Sequence, residues 1–167
     1  MDLFLDICQG AGIAAAVGIR PFLPVMLVGA MASQDLGVDF DATDYSFLED
    51  AWFLLGVVVL LAVAAGLQRR LGFDRFEAGP AGAAVAGLAI GLGALEFAGS
   101  IADRHEDAWL GLLGGLACAS LGVAASRALF QRTARRLDAE ARNALPVYAE
   151  GIGLALAQML RDEGYDL

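Results

Sequence analysis

The stretch Val17-Gly18-Ile19-Arg20-Pro21-Phe22-Leu23-Pro24 lies in the middle of an apolar run covering about 3–32, and its reading decides how the chain is built. About 20 apolar residues span the ~30 Å hydrocarbon layer of a bilayer, so this run is too long for one straight crossing. Two prolines around a glycine-containing turn remove backbone donors and clash with the preceding turn. The first helix is therefore expected to be long and kinked or split between Gly18 and Pro24. Arg20 at the same place is an ionisable group inside an apolar segment, which costs at least ~2.5–3.5 kcal/mol and calls for a compensating role. A helix restarting at Pro21 aims free N–H groups and the Arg20 guanidinium at one point near mid-membrane, an anion-binding arrangement. A proline kink with Arg20 paired to a carboxylate for assembly alone fits the same residues equally well.

Beyond this run, segments 51–67, 80–102, 108–130 and 145–160 are also apolar enough to cross, the last being short and carrying Glu150. Composition agrees: of 167 residues 58% are hydrophobic and only 19% charged, with mean hydropathy +0.62. These values describe an integral membrane protein. The expected fold is all-α, a single integral-membrane domain over 1–167 built as a bundle of about five transmembrane helices. Asp2 and Asp6 stand where a secretory signal has its positive region, so the first segment is expected to stay in the mature protein.

The loops set an orientation. Arg69, Arg70 and Arg75 follow the second segment and Arg132, Arg135, Arg136 and Arg142 follow the fourth, whereas 33–50 carries six acidic residues and no basic one. The third loop has only Arg104. The positive-inside rule then places loops two and four in the cytoplasm of a cell bounded by a plasma (inner) membrane. With five crossings the N-terminus is expected inside and the C-terminus outside. Trp52 and Trp109 each open a helix at the expected outer interface, where indole rings settle. They end the matching tetrapeptides Glu49-Asp50-Ala51-Trp52 and Glu106-Asp107-Ala108-Trp109, spaced 57 residues apart, with Arg70 and Arg127 each 18 residues later. That spacing suggests tandem helix hairpins followed by a fifth helix, although acid-then-Trp is also a common way to begin an inward-running helix.

Several function classes drop out. The net charge is −9 and the basic residues, all arginine, form only short clusters, so nucleic-acid binding is not expected. Cys8 and Cys118 lie in apolar stretches and read as small hydrophobes. His105 is the single histidine, which excludes HExxH and multi-histidine metal sites, and no cofactor is implied. The run Asp103-Arg104-His105-Glu106-Asp107 reads as a solvated loop rather than a cation site, because adjacent positions on a short loop seldom converge. The acidic first loop reads either as a cation-gathering field or as a surface segment with Phe40, Tyr45, Phe47 and Leu48 dipping into the interface.

Glu96 and Glu150 are the other carboxylates in crossing segments, and either one pairing with Arg20 would make a substrate or proton relay. Each also has a plainer reading: Glu96 reaches water at the outer end of its helix, and Glu150 belongs to an interfacial segment. Asp6 reads as solvated and Gln9 as an interhelical hydrogen bond. Gly87 with Gly91 and Gly111 with Gly115 form two GxxxG patterns, which let helix backbones approach closely within the bundle or across a homo-oligomer. Arg127 to Arg142 reads as a helix along the inner leaflet, anchored on anionic lipid.

Three stretches carry a resemblance: Gly10-Ala11-Gly12 with Gly18-Ile19-Arg20-Pro21-Phe22-Leu23-Pro24; Leu95-Glu96-Phe97-Ala98 followed by Asp103 and Asp107-Ala108-Trp109; and Gly114-Gly115-Leu116 leading to Ala125-Ser126-Arg127-Ala128. In these the chain resembles a family of small bacterial integral-membrane proteins catalogued only as a domain of unknown function. The resemblance implies a multi-helix inner-membrane protein and brings no activity; the RRLGFDRF loop and the acidic tail depart from it. From the residues themselves, the leading expectation is a small transporter or channel subunit with its anion site at Arg20 and Pro21, and with Glu96 or Glu150 balancing charge or carrying protons. The alternative is a non-catalytic scaffold or accessory subunit that homo-oligomerises through glycine-rich faces. No nucleophile–base pair or phosphate loop suggests an enzyme.

Overall fold

A computed structural model describes residues 2–34, 40, 43–102 and 108–135. Among them are six helices: α1 (Asp2–Ile19), α2 (Phe22–Ala32), α3 (Ala51–Leu71), α4 (Phe73–Ala78), α5 (Pro80–Ala102) and α6 (Ala108–Ala134), with a 3₁₀ turn at Ser46–Leu48. Three of them, α3, α5 and α6, are long and apolar enough to cross a membrane. The segment 145–160 with Glu150, the third loop 103–107 and residues 136–142 lie outside the described residues.

The break at Arg20 and Pro21 forms, and it is a reversal rather than a kink. The Arg20 N–H closes the last turn of α1 on the Ala16 carbonyl at 3.0 Å, and the Val25 N–H opens α2 on the Pro21 carbonyl at 3.4 Å. Val17 of α1 then packs with Phe22 and Val25 of α2, and Ile13, a turn earlier on α1, reaches the cluster holding Val28 and Ala32. The run 3–32 is thus a helical hairpin: 18 residues, roughly 27 Å, then 11 residues, roughly 16 Å. This corrects the reading of one long crossing. The correction carries a second one, since the start of α1 and the first loop now share an end of the bundle, where a single crossing had put them at opposite ends.

Small residues set the core. Gly18 of α1 backs onto Ala119 of α6, Gly93 of α5 faces Ala14 and Ala119, and Gly122 of α6 faces Ala15 and Gly18. At the other end of α1, Gly10 lies on Phe97 and Ser100. Hence α1 runs antiparallel to α5 and parallel to α6, with backbones close enough that dispersion contacts hold helices that lipid cannot drive together. α3 is peripheral: it leans on α2, where Gly29 meets Leu54, and Val57 is its buried residue.

The described part of the first loop packs onto the bundle through Phe40 and Leu48. Phe40 and Leu48 are fully buried with Val28 and Ala32, and Phe40 covers Gly99, while Phe47 meets Phe53 edge-on at 5.6 Å. Asp50 then starts α3 as an N-cap, in extended conformation with its carboxylate accepting the Trp52 N–H at 3.2 Å. Asp50→Ala is expected to lower stability by about 1 kcal/mol and Asp50→Ser to restore most of it, measured by thermal unfolding in micelles. At the opposite end, the expected loop 68–79 contains α4, reached through Gly72 at φ 76°, a conformation that favours glycine. Phe73 and Phe76 of α4 are buried beneath the bundle. α6 continues straight past Phe130 to Ala134, so Arg127 and Arg132 sit on the long helix itself.

Candidate functional site: an arginine-lined cavity

The hairpin turn decides where Arg20 goes. Arg20 and Pro21 line a cavity of about 50 Å³, together with Phe76 and Glu77 of α4 and Arg127 and Phe130 of α6. That volume is large enough for a few water molecules. Arg20 Cζ stands 4.6 Å from the centroid of the Phe130 ring, a cation–π contact that fixes the guanidinium plane. One turn earlier on the same face of α6, Arg127 Nη2 donates to the Gly82 carbonyl at 3.1 Å. Gly82 is held tight against α4, since a Cβ there would meet the Phe76 and Glu77 carbonyl oxygens at 2.6 and 2.8 Å. Three chain segments far apart in sequence therefore fix two guanidiniums and one carboxylate around one small space.

The site differs from its sequence expectation in three ways. It lies at the arginine-rich end of the bundle, level with the first turns of α5 and the last turns of α6, rather than at mid-membrane. The N-terminus of α2 contributes less than expected, because Pro21 and Pro24 have no N–H; Phe22 and Leu23 are the donors left in its first turn. Finally, Arg20 and Glu96 do not meet. Ala89 of α5 lines the cavity, and Glu96 lies seven residues further along, roughly 10 Å toward the opposite end. Glu96 itself is fully buried rather than reaching water.

Sequence reading missed Arg127, Phe130, Phe76 and Glu77. Arg127 had been counted only as an inner anchor, and its spacing of three from Phe130 was the available signal that both share a face. The GxxxG pairs also divide. Gly111 and Gly115 press on Ala98 and Ala94 of α5, whereas Gly87 and Gly91 have nothing within 4 Å of a built Cβ. Among the described residues no group of three or more His, Cys, Asp or Glu is placed to hold a metal ion.

Comparison with protein-family models, curated proteins and solved structures found no match.

Proposed function

We propose that the protein is a small transporter or channel subunit that binds an anion in the cavity at the Arg20–Pro21 reversal. The observation that carries this reading is the convergence of two guanidiniums, Arg20 and Arg127, on one small space that Glu77 also lines. Phe130 and Phe76 give the space partly apolar walls, which lower the local dielectric and strengthen the attraction.

Charge and aromatic residues support a membrane placement for this reading. The arginine-rich end, which includes Arg69, Arg70, Arg75 and Arg132, is the cytoplasmic mouth by the positive-inside rule, in a plasma (inner) membrane. Trp52 and Trp109, 79% and 57% exposed, mark the opposite interface. The hairpin brings the start of α1 to that outer side, in place of the cytoplasmic N-terminus expected from a single crossing. A further crossing over 145–160 keeps the C-terminus outside, and the two acid-acid-Ala-Trp helix starts fit a tandem hairpin origin.

The test is binding of inorganic phosphate and of sulfate, read as the rise in Tm of the detergent-solubilised protein at constant ionic strength. A charged hydrogen bond contributes about 1.5–3 kcal/mol, so Arg20→Gln and Arg127→Gln are each expected to weaken binding about 10- to 100-fold. Absence of any anion effect, or an effect that both variants leave unchanged, overturns the reading.

One observation favours a second reading, that of a non-catalytic scaffold. Gly87 and Gly91 leave a small-residue face of α5 open on the outside of the bundle, where a second copy fits closely.

A further inference from the structure

Among the described residues Glu96 is the buried charged residue of the core, at 0% exposure, and neither of its carboxyl oxygens has a hydrogen-bond partner there. Its position on α5 explains the burial. Leu92, one turn before, packs with Val17, Val25 and Val57, and Gly99, one turn after, lies under Phe40 and Tyr45. The face they share with Glu96 is thus turned in toward the α1–α2 hairpin and covered by the first loop. Ser100 offers no donor, because its hydroxyl is bonded to the Phe97 carbonyl at 2.8 Å.

An isolated carboxylate in such surroundings is prohibitively costly, so its charge must be cancelled by whatever it binds. A metal cation needs several oxygen ligands, and among the described residues Glu96 belongs to no group of three or more His, Cys, Asp or Glu placed to hold one. A proton needs one oxygen. Among the described residues, the titratable groups on the elements packed around this level are Asp44, Tyr45, Glu49 and Asp50 in the first loop, of which Asp44 and Asp50 are exposed, and Cys118 on α6, next to the Ala14–Phe97 cluster. α2 carries none, and Cys8 on α1 is exposed.

We propose that Glu96 is a reversible proton site in the end of the bundle opposite the arginines. Its carboxylate takes a proton from water, is enclosed as the neutral acid when α1, α2 and the first loop close over it, and returns the proton to water when that packing opens. The site is independent of the anion cavity and stands or falls without it.

The experiment treats the full-length protein in lipid nanodiscs with the hydrophobic reagent N,N′-dicyclohexylcarbodiimide, which attacks protonated carboxyls, and locates the adduct by mass spectrometry. The expected result is modification at Glu96, falling about tenfold per pH unit once the acid form is the minority. Infrared difference spectra are expected to show a carboxylic-acid carbonyl band that disappears on raising the pH and is missing in Glu96→Gln. A folded, unsubstituted chain with no adduct at Glu96 at any pH overturns the proposal, because a carboxyl that exchanges its proton with water must be reachable in its acid form. An acid band that persists at every pH overturns it equally, since the proton is then a fixed structural element. The labelling arm uses the native chain, so a poorly folding variant leaves the result decisive.

Discussion

Gly115→Leu is expected to destroy the packing of α5 on α6, while Gly91→Leu, in the same sequence pattern, leaves the folded monomer as stable as before. A Cβ at position 115 would stand 2.7 Å from the Cα of Ala94 and 2.8 Å from the Gly93 carbonyl oxygen. Both are backbone atoms, so no rotamer change relieves the overlap and the two helices must separate. Overpacking a core costs about 1–3 kcal/mol where side chains can adjust, and the cost here lies at or above the top of that range. The loss also reaches α1, because Gly93 and Ala119 form the three-helix contact with Ala14. At Gly91 a Cβ meets nothing within 4 Å. Thermal unfolding of both variants in one detergent separates them, and a drop in Tm at Gly91 comparable to that at Gly115 contradicts the packing described. Gly91→Leu has a second readout, since a shift from dimer to monomer with unchanged Tm supports the scaffold reading.

The helices themselves were legible in the sequence. Pro80 to Ala102 was read to the residue, and α3 and α6 began where their acid-Ala-Trp starts placed them. Which faces pack was not legible, for a reason specific to membranes. Lipid and protein core are equally apolar, so hydropathy does not separate α3, whose buried residue is Val57, from α5, most of whose second half is buried. The break at Arg20 and Pro21 was visible because proline chemistry is local. Its angle was not, because a missing N–H permits a kink and a reversal alike. Here the reversal is set by contacts of α2 with residues far along the chain, Gly29 on Leu48 and Leu54 and Val28 and Ala32 with Phe40 and Leu48. The same dependence explains the site: Arg20 was found from its own segment, while Arg127 and Glu77 became partners only through the pairing of α1 with α6 and the tuck of α4. Phe73 and Phe76, both apolar and three apart, carried a helical signal too short to stand out from the arginines beside it.

Position 20 offers the second large effect, because the hairpin and the single crossing predict opposite outcomes there. In a single crossing, residue 20 lies at mid-membrane and is sealed from water-soluble reagents on both sides. In the hairpin it lines the cavity at the arginine-rich end of the bundle, beside Ser126 and Phe130. Exposed Gln131 at the end of α6 and exposed Ser46 in the first loop mark the two ends and supply internal references for sidedness. The background is Cys8→Ala with Cys118→Ala, which removes the two native thiols.

The decisive measurement is labelling of Arg20→Cys by a membrane-impermeant maleimide, applied to each side of oriented membranes, beside Gln131→Cys and Ser46→Cys. The account predicts that Arg20→Cys labels from the side that labels Gln131→Cys and from that side alone, with saturating phosphate slowing the reaction at Gln131→Cys not at all. Labelling from the Ser46→Cys side, or none from either side in a folded variant, contradicts the hairpin and removes the anion cavity with it.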